Sequence, residues 1–74
     1  MTEESKITGR YRHYKGNEYE VIDTALHTET EERLVVYRAL YEPYQLWVRP
    51  FEMFFENVIV NDIEIPRFTK LDRE

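Results

Sequence analysis

The chain reads as a small all-β protein, a strongly bent SH3-like barrel of five to six short strands with one helical turn near residues 50–56. Three observations predict this. Aromatic and β-branched residues crowd into two adjacent runs, Leu34-Val-Val-Tyr-Arg-Ala-Leu-Tyr41 and Leu46-Trp-Val-Arg49, which suits a pleated, half-buried surface. Turn signals recur at short intervals, at Lys15-Gly16-Asn17, Glu42-Pro43-Tyr44 and Asn61-Asp62. Finally, 74 residues are enough for only one core, and a curled two-layer sheet is the simplest way for β-forming segments to bury one face. An open β-sandwich or an OB-like barrel is the alternative arrangement.

The elements follow in order. Residues 1–8 form a flexible polar arm. Arg10-Tyr-Arg-His-Tyr14 alternates as a first strand, and Gly16-Asn17 supplies a hairpin turn because both residues tolerate positive φ. Residues 18–27 form a second, longer strand. Tyr19, Val21, Asp23, Ala25 and His27 share one of its faces and Glu20, Ile22, Thr24 and Leu26 the other. Neither set is purely apolar, which predicts a bulge or bend near Asp23-Thr24. The polar connection Thr28-Glu-Thr-Glu-Glu32 leads to a third strand over residues 33–41 and a fourth over 45–49. Pro50 suits the first position of a helix, and Phe51, Phe54 and Phe55 at i, i+3 and i+4 give that turn an aromatic inner side. Residues 57–60 are a fifth strand, Asn61-Asp62 a hairpin turn, and residues 63–68 a sixth strand that Pro66 assigns to an edge. The domain therefore spans residues 9–68, with 69–74 as a loose polar tail.

Composition excludes several classes. There is no cysteine, hence no disulfide framework and no thiolate metal site. Met1-Thr-Glu-Glu-Ser-Lys6 is polar and acidic, unlike a secretory signal. No apolar run approaches the roughly 20 residues that span a bilayer, and the expected location is the cytoplasm. The net charge of −5 is banded along the chain, basic around Arg10, Arg12 and Lys15, acidic from Glu18 to Glu32, and basic again through Arg33, Arg38 and Arg49. Such banding predicts opposite-charge neighbours across strands.

Tyr11-Arg-His-Tyr-Lys-Gly16, Tyr19-Glu-Val21, His27-Thr-Glu-Thr30, Val35-Val-Tyr37 and Leu46-Trp-Val-Arg-Pro50 with Met53-Phe54 resemble a small bacterial family, the domain of unknown function numbered 1653. The resemblance runs from about Gly9 to Phe68. It implies a short, stand-alone cytosolic bacterial protein and no particular activity, so the residues themselves have to supply a function.

His13 and His27 are the only histidines. With Glu29 they offer a minor hydrolase or metal site, but no nucleophile motif or metal-ligand spacing accompanies them. Tyr11, Arg12, His13, Tyr37, Arg38, Trp47 and Arg49 form the more informative set. If Tyr37, Tyr41 and Trp47 face outward, they make an aromatic shelf beside the arginines. If they face inward they are core, which the small size of the domain favours for Tyr37 and Trp47. An aromatic–arginine face stacks bases or takes peptides, and an acidic chain is poorly suited to polyanions. The reading is a non-enzymatic binding module, without cofactor or metal, that recognises a protein segment or a small anionic ligand on this face. An accessory RNA- or DNA-binding role is the alternative. Phe51, Met53, Phe54 and Phe55 cannot all turn inward from one helical turn, so Met53 or Phe55 is left exposed and offers a homodimer contact through residues 51–55.

Overall fold

The computed structural model describes residues 7–71. The elements are β1 (Gly9–His13), β2 (Glu18–Leu26), β3 (Arg33–Ala39), β4 (Leu46–Pro50), α1 (Phe51–Phe54), β5 (Asn57–Val60), β6 (Ile63–Pro66) and β7 (Phe68–Lys70). The all-β architecture with one helical turn after β4 is as the sequence predicts. In place of a closed barrel there are two antiparallel sheets, one of five strands in the order β4-β3-β2-β1-β7 and one of two strands, β5-β6.

The expected sixth strand is in fact two. Pro66 has no N–H to extend the ladder with β5, where it lies opposite Asn57. At Arg67 the chain crosses between sheets, its amide donating to the Glu56 carbonyl at 3.1 Å and its carbonyl accepting from the Tyr14 amide at 2.9 Å. Phe68 then pairs with His13 in the large sheet. Thr69 and Lys70, read from sequence as tail, thus belong to β7, and the Leu71 amide donates to the Arg10 carbonyl at 2.8 Å. The polar arm and tail otherwise lie at residues 1–6 and 72–74, outside the described residues.

Local chemistry sets the turns. Gly16 adopts φ 111, a conformation open to glycine and strained for L side chains, and its amide donates to the His13 carbonyl at 2.7 Å. A Cβ built there meets nothing within 4 Å, so Gly16→Ala isolates the backbone strain. The expected loss is about 1–3 kcal/mol, read as a lowered urea midpoint with unchanged slope. Asn61 and Asp62, at φ 53 and 66, form the two-residue β5–β6 loop that needs positive φ at both central positions. The β2 bulge lies one residue earlier than predicted: Val21 opposes Tyr37 and Asp23 opposes Val36, leaving Ile22 as the extra residue. The insertion moves Thr24 opposite Val35, onto the face that Val21 occupies.

One face of the large sheet is covered and the other bare. Tyr11, Val21, Val35, Tyr37 and Ala39 are buried on the covered face, where Phe54 of α1 and Phe68 of β7 complete the core. Phe54 stacks on Phe68 at 4.0 Å with the rings 2° from parallel. Tyr37 on β3 reaches Phe68 on β7 at 5.8 Å between centroids. Three strand spacings of about 4.8 Å separate β3 from β7 in a flat sheet, so the sheet curls until β3 and β7 meet over α1. Cross-strand charge pairing also follows the banding, with Arg12 opposite Glu18, Arg10 opposite Glu20, and Glu20 opposite Arg38. Among the described residues no helix is long and apolar enough to cross a membrane.

Candidate functional site

Strand register separates the residues that the sequence nominates into two faces. Tyr11, His13, Tyr37, Trp47 and Arg49 occupy alternate positions on the covered side, while Arg12 and Arg38 point to the bare side. The single exposed aromatic–arginine spot therefore does not form as a whole. Arg12 is bound to Glu18, Nη2 to Oε2 at 3.0 Å. Arg38 Nη1 donates to the Tyr44 carbonyl at 2.9 Å and braces the turn before β4. Tyr11 belongs to the core: its ring packs edge-on against Phe54 at 5.5 Å, its hydroxyl donates to the Ile7 carbonyl at 2.8 Å, and burial raises its pKa.

Tyr37 and Trp47 lie directly opposite one another but end differently. Tyr37 is buried among Tyr19, Phe54 and Phe68. Trp47 is 48% exposed, against the expectation that it is core, because β4 is an edge strand with no neighbour beyond it. The expected shelf is correspondingly split. Tyr41 contacts Tyr19 instead, hydroxyl to hydroxyl at 3.0 Å, and the Tyr19 pKa is pushed up to about 12 by burial and then by that bond.

What the fold does assemble is a smaller cationic mouth. Arg49, half-buried two residues along β4 from Trp47, donates from Nε to the Tyr37 hydroxyl at 3.4 Å. The half-buried His13 packs edge-on to Phe68 at 4.9 Å, and its Nδ1 accepts from the Lys15 amide at 3.1 Å. Its pKa is lowered by burial first and then by the charges of Arg49, Arg67 and Lys15. Arg67 holds Glu56 at 3.0 Å through Nη2, while its Nε is buried without a partner. Sequence reading missed Arg67 and Lys15. Arg67 is the residue at which the chain crosses between the sheets, and Lys15, counted in the first basic band, lies outside the aromatic–arginine set that the sequence nominates.

The lowered pKa has a consequence for stability. His13 binds a proton more readily in the unfolded chain, at the ordinary value of 6.5, than in the folded one. The unfolded state thus holds more protons below that pH, and folding stability is expected to decline as pH falls from 7 through 6.5 toward the lower folded value. His13→Asn should flatten that segment of the curve, as read from urea midpoints across pH. A His13 ring titration by NMR should give a pKa below 6.5.

The fold does not bring His13 together with His27 and Glu29. His13 lies beside the start of β2 and His27 follows its end, so nine residues of strand at about 3.3 Å each hold them on the order of 30 Å apart. His27 Nδ1 accepts from the backbone amides of Glu29 and Thr30 at 3.0 and 3.4 Å, organising the β2–β3 turn. Among the described residues no three His, Asp or Glu side chains come together as a metal site.

Two clefts indent the surface of the described residues. One, of about 400 Å³, lies between β1, β6 and β7, with Arg12, His13, Tyr14, Ile65, Pro66 and Leu71 in its wall. The other, of about 450 Å³, is formed by Glu32, Arg33, Pro50, Phe51, Glu52 and Met53, with the Arg33 guanidinium 4.0 Å from the centre of the Phe51 ring. His13 alone joins the first cleft to the mouth.

No curated protein matches the chain. A crystal structure of a protein belonging to the DUF1653 family from Bordetella bronchiseptica is similar to it, with 33% sequence identity and a TM-score of 0.77 over 90% of this chain and 92% of that one. The family model described as "Protein of unknown function (DUF1653)" matches residues 9–70, from the first residue of β1 to the last of β7. The chain belongs to the DUF1653 family.

Proposed function

We propose that this protein is a non-enzymatic binding module that takes a carboxylate-bearing protein segment at the mouth formed by Trp47, Arg49, His13 and the Tyr37 hydroxyl. One observation carries the reading. Arg49 is half-buried, yet no carboxylate of the described residues lies within ion-pair distance of it, in a chain with 15 acidic residues against 10 basic ones. A guanidinium is a planar fork suited to bidentate carboxylate contact, and the exposed indole beside it provides apolar area for the residue next to that carboxylate. A net charge of −5 disfavours a long polyanion, whose affinity grows with the number of phosphates neutralised. A single short acidic segment suits the mouth better.

The test is an NMR titration of the labelled protein with a blocked tetraglutamate peptide, with inorganic phosphate and with a single-stranded oligothymidylate. The reading expects saturable shifts of the Trp47 indole N–H and the His13 ring with the peptide, and weaker ones with phosphate. Silent Trp47 and His13 resonances would overturn it, and tighter binding of the oligonucleotide would transfer the site to nucleic acid.

A further inference from the structure

The large sheet has two free edges, β4 and β7, and they are built differently. β7 is three residues long and ends in Lys70; shortness and lysine both discourage pairing with another chain. β4 has five residues, and three consecutive apolar ones, Leu46, Trp47 and Val48, are 44%, 48% and 57% exposed. Its hydrogen-bonding phase follows from one contact, the Ala39 amide donating to the Gln45 carbonyl at 2.9 Å. In an antiparallel ladder this turns the N–H and C=O groups of Gln45, Trp47 and Arg49 toward β3, and those of Leu46, Val48 and Pro50 toward the open side. Pro50 contributes only a carbonyl there. Val48 also faces the bare side, opposite Val36, where Ile22 and Leu46 are exposed as well.

We infer that the occupant of this edge is a second copy of the chain, paired antiparallel through its own β4 about a two-fold axis at Val48. The edge is complementary to itself in this register. Val48 of each copy donates to and accepts from Val48 of the other, and each Leu46 amide meets a Pro50 carbonyl, so the missing proline N–H falls at the rim where water serves the Leu46 carbonyl. On the bare side only apolar residues face one another, Val48 against Val48 and Leu46 against Pro50. On the covered side each Trp47 faces an Arg49, an indole against a guanidinium, which attract. No like charges are opposed. Moving the axis to Trp47 keeps the hydrogen-bond phase but sets indole against indole and Arg49 against Gln45, and the cation–π contacts are lost. The result is a ten-stranded sheet, twice the five strands of one copy. Stable interfaces bury roughly 1,200–2,000 Å²; one short strand pair covers less, so this dimer dissociates on dilution. The pairing rests on the backbone edge and does not depend on the anion reading.

Sedimentation velocity of the full chain, from roughly 10 μM to 1 mM where weak interfaces of this class populate, should show the weight-average mass rising toward twice that of the monomer. Hydrogen exchange should slow at the Leu46 and Val48 amides as concentration rises, and stay constant at Trp47 and Arg49. Val48→Lys and Val48→Glu, at an exposed position, should each remain folded by circular dichroism and monomeric. Mixing the two should restore dimers, because opposite charges then meet on the axis. A wild-type monomer throughout the range would overturn the proposal. So would a dimer unaffected by Val48→Lys, which would assign the contact to Met53 and Phe55, or a mixture that stays monomeric.

Discussion

Phe54→Ala is expected to destabilise the protein severely, lowering its urea midpoint sharply. Phe54 is fully buried, stacks on Phe68 at 4.0 Å, and meets Tyr11, Tyr37 and Phe55 edge-on at 5.5, 5.1 and 4.9 Å. It is the side chain that α1 inserts where the curled sheet closes on itself. Truncating a buried phenylalanine costs about 3–5 kcal/mol, the lost transfer energy plus the cavity left behind. A chain of 74 residues commands on the order of 4–11 kcal/mol in total, so the loss removes about a quarter of the stability at least and all of it at worst. Far-UV circular dichroism under urea is the appropriate measurement, since the exposed Trp47 reports weakly on the core by fluorescence. Phe54→Leu should recover part of the loss. A variant with a wild-type urea midpoint would show that the Phe54–Phe68 stack is not the centre of the core.

Arg49→Met should lower affinity for the tetraglutamate peptide by roughly tenfold to hundredfold, which corresponds to the 1.5–3 kcal/mol of a hydrogen bond to a charged group. Methionine keeps much of the apolar stem of arginine and removes the charge. Since the bond from Arg49 Nε to the Tyr37 hydroxyl is long, 3.4 Å, folding stability should change by less than about 1 kcal/mol. The same substitution should raise the His13 pKa, because one of the cations that oppose its protonation is gone. Arg12→Met is the matched control. Arg12 lies on the bare side and is engaged by Glu18, so peptide affinity should not respond to it. Equal losses from both variants would mean that the peptide senses overall charge and not this mouth.

Much of the fold was legible because it rests on local signals. Gly16 at φ 111 and Asn61-Asp62 at φ 53 and 66 mark their hairpins by chemistry that few other residues provide. The mixed faces of β2 announced a bulge, expected one residue beyond Ile22 where it falls, because an uninterrupted alternation would have buried Asp23. Pro50 and the spacing of Phe51, Phe54 and Phe55 located α1. Closure was less legible. Nothing within residues 63–68 states that the chain abandons β5 at Pro66 and joins β1 at Phe68, which depends on the curl of a sheet assembled from distant segments. The candidate site suffered for the same reason. Alternation placed Trp47 and Arg49 together correctly, but whether a ring on that face is covered depends on its column in the sheet. Tyr37 has neighbours on both sides and Trp47 has one on one side only. The position of Arg67 near His13 follows from tertiary closure and has no local signature.

Pairing of β7 with β1 also bears on how the molecule forms. The ring that seals the interior, Phe68, belongs to β7, and its strand partner His13 to β1. Hairpins form locally, but the core as a whole must wait for this distant pairing, since loop closure over such a separation is the slow, entropically costly step. With the Leu71 amide bonded to the Arg10 carbonyl at 2.8 Å, the start of β1 and the end of β7 finish side by side. A short linker joining them, with new ends opened in the β2–β3 turn, should therefore yield a permuted chain that still folds.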